Sequence, residues 1–473
     1  MAEIDPHWAW EPYKPSSESP WDLRKVGHLY RRAGFGASWT ELEAGAKAGP
    51  DEAIDRLLQG GPDQEGFESL TALLARSAAQ STNDQELRAL GLYRMLYSPH
   101  PLREKLTLFW HNHFATSNSK VQNLRFMIGQ YELMQRHALG SFRDLLDQMS
   151  RDPAMMVWLD TRESKKGKPN ENYAREVMEL FSLGIGHYTE KDIREGARAF
   201  TGWDIDDGKA VFDPNQHDDT EKTVLGQKGK WQGEDIIRIC LEQKSCPSFI
   251  AGKLFRFLVS ESIPATPELL DPLADRFRKS DYDFGMLVET MLRSNLFFSP
   301  AVYRTRVKSP VEFVLGIVRP LLSLPRKSSP QLKGRIDTIA LATALQTLGQ
   351  DLFHPPSVKG WDGGAAWLNG QTLLFRQNLA LALTSTEDFG RRADTAALAE
   401  RFGKQTDQEL VDFFLRLFYQ DDVPAESRTR LLDYQKKAHD QPKPILSTDK
   451  DAADQRVRTL CHLVLTLPEF QLA

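Results

Sequence analysis

The chain has 473 residues, with 60 Lys and Arg against 65 Asp and Glu and a formal charge of -5 at pH 7. That balance excludes a basic footprint for nucleic acid, and a hydrophobic fraction of 41% with 26% charged residues excludes disorder as the state of the whole chain. Three cysteines, Cys240, Cys246 and Cys461, are too few for a disulfide framework and lack the second close pair of a zinc knuckle.

Residues 1–20 are rich in Pro, Ser and Trp without a helical period, which predicts an extended arm pinned by burial of Trp8, Trp10 and Trp21. No basic start followed by an apolar stretch precedes Trp21, so a cytoplasmic chain without an export signal is expected. Apolar residues then recur three and four apart in Asp51–Leu58, Glu86–Tyr97, Leu102–Phe114 and Leu124–Ala138, with breaks at Gly60-Gly61-Pro62, Ser98 to Pro101, and Gly140. This is the rhythm of antiparallel helices with short connections. Another helix is predicted from Glu171 to Leu183, stopped by Gly184, and one more after Thr189 as N-cap with Asp192 three residues on.

Trp203–Trp231 is polar and Gly-rich, an irregular excursion with room for one β-hairpin. The helical period resumes in Ile236–Leu241, Phe249–Ser260, Leu269–Phe277 and Phe284–Leu292. Pro325–Lys333 reads as a polar connection and Phe353–Asn369 as a second irregular, aromatic segment. From Asp394 two or three helices are expected around the charged stretch Lys436–Asp454. Nowhere do about 18 apolar residues run together, so no membrane span is expected. The predicted fold class is mainly α: a multi-helix globular bundle with long irregular loops and at most a small β-hairpin. Residues 21–473 would form one helical unit, divisible into lobes 21–203, 204–380 and 381–473.

The most distinctive string is Phe109-Trp110-His111-Asn112-His113-Phe114. On a helix that persists to Phe114, His111 and His113 point about 200° apart and cannot share an ion. On a helix that ends near His111, an extended His-X-His places both imidazoles on one side and allows chelation. The plainer alternative makes His113 a hydrogen-bonded core histidine and His111 a surface one. In Asn170–Phe181, Asn172, Glu176 and Glu179 fall in one narrow stripe at the border of the apolar face, at about 100° per residue. Carboxylates at a core edge suit metal ligands or an acid with raised pKa, whereas acids also favour a helix start on electrostatic grounds, with Arg175 pairing Glu171 or Glu179.

His217-Asp218-Asp219 offers an imidazole and hard carboxylates that suit iron, manganese or zinc, or forms a solvated acidic loop. Phe353–Gly364 holds two prolines and three glycines, and shapes a pocket wall with His354 or Lys359 facing a ligand, or packs with Trp361 and Trp367 in the core. No phosphate-binding Gly-x-x-x-x-Gly-Lys, Gly-x-Ser-x-Gly elbow, Cys-x-x-Cys-His or His-Glu-x-x-His occurs, which removes support from those mechanisms.

Several strings taken jointly resemble the bacterial family called domain of unknown function 1800. They are His28 to Gly36, Phe109 to Phe114, Asn170 to Gly184, Tyr188 to Asp192, Ala197 to Trp203, Lys222 to Gly226, Ile250 to Phe257 and Pro355 to Leu368. The likeness runs from about Asp22 to the C-terminus. It implies a mainly helical fold and a co-encoded partner of the family called domain of unknown function 1501, and it implies no activity. Many relatives carry export signals, a pattern from which this N-terminus departs. Lys244 to Ser248 also departs from the family's usual Pro-Ala-Thr-Ala-Arg-like helix start.

The leading expectation is that His111, His113, Glu176, Glu179 and His217 converge in a helical pocket and bind a divalent metal, iron, manganese or zinc. The ion would serve hydrolytic or oxidative chemistry on a small or carbohydrate-like substrate, with Asp218 orienting a ligand histidine and His354 acting as acid or base. The alternative is a non-catalytic helical scaffold for a co-encoded protein, in which the two His and Glu strings form a buried polar network.

Overall fold

Capping residues set where the helices begin. Asn123, Ser141, Asp152, Thr266 and Asp283 each accept a backbone N–H from the first turn, and Thr189 with Asp192 forms a complete capping box. In the computed structural model, which describes residues 4–321, 336–390, 392–439 and 449–473, these caps delimit a mainly α-helical fold. Pro101–His113 packs against Gln85–Tyr97 and Leu124–Arg136, Ser245–Leu258 against Pro267–Lys279, and Gly370–Ser385 against Asp449–Leu465. Their apolar faces merge into one continuous core that runs from Ala9 to Phe470. No helix among the described residues is long and apolar enough to cross a membrane.

The N-terminal arm differs from its predicted extended form. Pro6–Trp10 is a short helix capped by the Asp5 side chain. Trp10 is buried and donates its indole N–H to Leu269 O at 2.6 Å, and the half-buried Trp21 donates to Gly45 O at 3.0 Å. Trp8 is exposed, so two tryptophans hold the arm rather than three.

Trp203–Trp231 holds two hairpins where one was expected. Trp203–Asp206 pairs antiparallel with Lys209–Phe212, and Lys222–Val224 with Gln227–Gly229. The first turns through Asp207-Gly208, both at positive φ, the backbone that a two-residue hairpin requires. The second turns through Leu225-Gly226, also both at positive φ, and a leucine there carries no turn signal in the sequence. The predicted helix from Glu171 to Leu183 is α-helical in Asn172–Glu176 and then widens to a π-helix in Val177–Ser182, where Leu183 N–H donates to Met178 O five residues back at 2.9 Å. The predicted connection Pro325–Lys333 and the middle of the stretch Lys436–Asp454 lie outside the described residues.

Candidate functional site

The helix Pro101–His113 runs through both histidines, so the helical period turns them about 200° apart. His113 is buried in a cage of Phe109, Trp110, Phe114 and Phe181, with Nε2 at 3.1 Å from Phe181 O. Burial, with Lys253 nearby, holds its pKa well below the ordinary histidine value. His111 faces the other way. Its Nε2 accepts the Phe353 N–H at 3.0 Å, and its ring packs on Phe353 and Trp361. Burial and then His354 push His111 down to about 4, so both imidazoles are neutral at pH 7.

His217 is likewise held by backbone, with Nδ1 at 2.9 Å from Thr201 O and its ring against Phe212. Asp218 does not orient it. The Asp218 carboxylate accepts from Arg198 Nε at 2.7 Å and from Thr220. Burial alone raises that carboxyl, and the hydrogen bonds from Arg198 and Thr220 outweigh it and bring it well below the carboxylate range. The five residues expected to share an ion therefore do not reach a common point. Among the described residues no group of three or more His, Cys, Asp or Glu side chains is placed to hold a metal ion. The physical reason is that each buried imidazole is already engaged by a backbone group within its own packing site.

Glu176 and Glu179 do lie together, at the junction of the α and π turns. Burial and then Glu179 push the Glu176 carboxyl up to about 7. Glu179 accepts the Tyr188 hydroxyl hydrogen bond. Arg175 turns instead to Glu171 and Glu190, at 3.3 and 2.8 Å. Three carbonyls of the π turn take side-chain donors: Val177 O accepts the Ser182 hydroxyl, Leu180 O receives Lys253 Nζ at 3.3 Å, and Phe181 O faces His113. Burial and then Arg256 bring Lys253 down to about 8, so a carboxyl and an amine that titrate near neutrality flank one irregular turn. A π turn has the same apolar pattern as an α turn over six residues, and for that reason neither it nor the roles of Tyr188 and Lys253 were legible in the sequence.

His354 has the geometry of a proton-transfer group. Its Nε2 lies 2.5 Å from Asp84 Oδ2, and its side chain keeps 19% exposure where His111 and His113 have almost none. Asp84 also faces Arg88 at 3.3 Å and Asn118 Nδ2 at 3.5 Å. Burial alone raises the Asp84 carboxyl, and Arg88 and His354 outweigh it, so it sits below its usual range. Asp84 occupies the N-cap position of Gln85–Tyr97, yet it makes no side-chain cap bond. An uncapped N-cap Asp forgoes about 1 kcal/mol of helix stabilisation, and here the carboxylate is turned to the imidazole instead.

The loop that carries His354 is locked to Pro101–His113 through Asn112, the residue between the two histidines. Its Oδ1 accepts the Trp361 N–H at 2.7 Å and its Nδ2 donates to Trp361 O at 3.4 Å. Gly360 has φ +84°, and a Cβ there would stand 2.6 Å from Asn112 O. His111 and His354 are thus brought near each other by this loop, while Glu176, Glu179 and His217 do not join them in a metal-binding group.

No curated protein and no solved structure matches the chain. The chain belongs to the family described as Protein of unknown function (DUF1800), whose family model matches residues 28–472, almost the whole length.

Proposed function

We propose that the protein is a hydrolytic enzyme in which His354, oriented by Asp84, takes the proton of an attacking water and returns it to the leaving group. The observation that carries this reading is the diversion of an N-cap carboxylate from its helix to the ring of a partly exposed histidine. A carboxylate on one ring nitrogen fixes the tautomer and stabilises the imidazolium that forms, leaving the other nitrogen for substrate or water. The rigid aromatic loop around Phe353 and Trp361 holds the ring in place. No step is assigned to an ion held by His111, His113, Glu176, Glu179 and His217, because those donors do not converge. The substrate class remains the small or carbohydrate-like one, and the test uses chromogenic esters and glycosides. His354→Gln is expected to lower turnover by about 100-fold or more and Asp84→Asn by less, with melting temperatures near that of the parent. Undiminished turnover in His354→Gln refutes the assignment.

A second reading, a scaffold for a co-encoded protein of the family called domain of unknown function 1501, draws support from the filled aromatic surroundings of His111 and His113. It predicts a complex on size-exclusion chromatography that His354→Gln leaves intact.

A further inference from the structure

His354 and Asp84 do not stand alone. Asp84 precedes the helix Gln85–Tyr97 and Arg88 follows one helical turn later, so the two side chains meet on one face. Arg88 Nη1 lies 3.3 Å from Asp84 Oδ1, which leaves Oδ2 for His354. The same guanidinium reaches across to the loop that carries His354: its Nε lies 2.7 Å from Asp351 Oδ1, and its Nη2 donates to Asp351 Oδ2 at 3.3 Å. Asp351 is anchored in turn. Gln346 donates to its Oδ2 at 3.0 Å, and its backbone carbonyl accepts the His354 N–H at 3.0 Å. The side chains of Asp84, Arg88, Asp351 and His354 keep between 14 and 21% exposure, so the group borders solvent.

A guanidinium carries a planar fork of N–H donors that holds several oxygens at once, which an ammonium on a flexible stem does not. Here that fork serves two acids of different proton affinity. Burial raises the Asp351 carboxyl, with Arg88 and His354 opposing and Asp84 adding to the rise, whereas Asp84 ends below its usual range. Asp84 also has a competing partner. The free N–H groups of the first helical turn ordinarily take the carboxylate of an N-cap Asp, and here they do not.

We propose that Arg88 is a positioning residue for His354: by clamping Asp84 Oδ1 to Asp351 it keeps the carboxylate off the helix N-terminus and its Oδ2 on the imidazole. This rests on the reading of His354 as the proton-transfer group, and it adds what keeps the orienting acid in place. A carboxylate only accepts, so a neutral ring held by Asp84 carries its proton on Nε2 and leaves Nδ1 bare to take the proton of water. Without the guanidinium, Asp84 is free to turn to the backbone of Gln85–Tyr97, and the ring proton distributes between the two nitrogens.

The test reads the tautomer directly, from the imidazole nitrogen NMR shifts of the full chain at pH 8, with the His354 signals identified by their loss in His354→Gln. The parent is expected to hold the proton on Nε2. Arg88→Met is expected to spread it over both nitrogens and to lower turnover of the chromogenic substrates by about tenfold or more with KM unchanged. Arg88→Lys, which keeps the charge but not the fork, is expected to restore little of either. Should Arg88→Met not fold, Asp351→Asn takes its place: it weakens one end of the clamp with almost no change in shape and is expected to move the tautomer in the same direction. A residue that merely ties loop to helix would lower the melting temperature of these variants and leave the tautomer as in the parent. That outcome in Arg88→Met, or in Asp351→Asn where Arg88→Met does not fold, overturns the proposal, as does a parent without the Nε2 tautomer. Because the tautomer is read without turnover, a parent that turns over no substrate sinks the hydrolytic reading and leaves the clamp standing, whereas an active parent whose variant keeps the tautomer sinks the clamp alone.

Discussion

A histidine enclosed by aromatic rings and bonded to a backbone carbonyl contributes to stability as a core residue does, and His113 is in that position. His113→Ala should cost about 3 kcal/mol in urea unfolding, with the same difference in the presence and absence of a chelator. A chelator-dependent difference would point to metal at this residue. Glu176 makes an opposite kind of contribution. Its pKa is near 4.5 when unfolded and about 7 when folded, so the folded state binds the proton more tightly. Its stabilising effect is complete below about pH 4.5 and is lost as pH rises through about 7. Glu176→Gln should be more stable than the parent at pH 8 by about 1 kcal/mol, a figure reduced for the solvent that screens a half-exposed group, and the two should converge near pH 4. At this scale the residue types of the site were legible, because His and Glu at a core border are visible in any helical projection. Their partners were not, since nothing near His354 in the chain points to Asp84, 270 positions away.

Among the elements, the loop from Asp351 to Trp361 carries the functional reading, and its anchor is a glycine pressed against Asn112. Gly360→Ala combines a left-handed backbone with a clash against backbone oxygen, and should destabilise by about 2 kcal/mol and speed hydrogen exchange across residues 351–361. An effect spread over the whole chain instead would contradict this local role. The helices themselves were readable from apolar spacing and caps, as with the box of Thr189 and Asp192. The second hairpin was not, because Leu225 adopts a positive φ that leucine does not signal. The arm was misread because the five residues Pro6–Trp10 are too few to show a period.

At the scale of the whole molecule, a few charges are buried in a network between distant segments. Glu312 compensates Lys105 and Arg306, all three nearly inaccessible, and the two cations outweigh burial and hold its carboxyl far below its usual range. Glu312→Gln should cost about 3–5 kcal/mol, since it leaves Lys105 without its acid and Arg306 with only Glu261 at 4.0 Å; a change under about 1 kcal/mol in denaturant unfolding would show that the network is not needed for stability. This network joins segments that are far apart in the chain.

The sequence by itself determined the helices, most of their ends, the family and the exclusion of membrane-spanning segments, because spacing, capping and composition act over a few residues at a time. Only the tertiary structure decided that His111 and His113 turn into packing and that Asp84 holds His354. Those outcomes depend on which distant surfaces exclude water together, a property of the packed chain that no local pattern encodes.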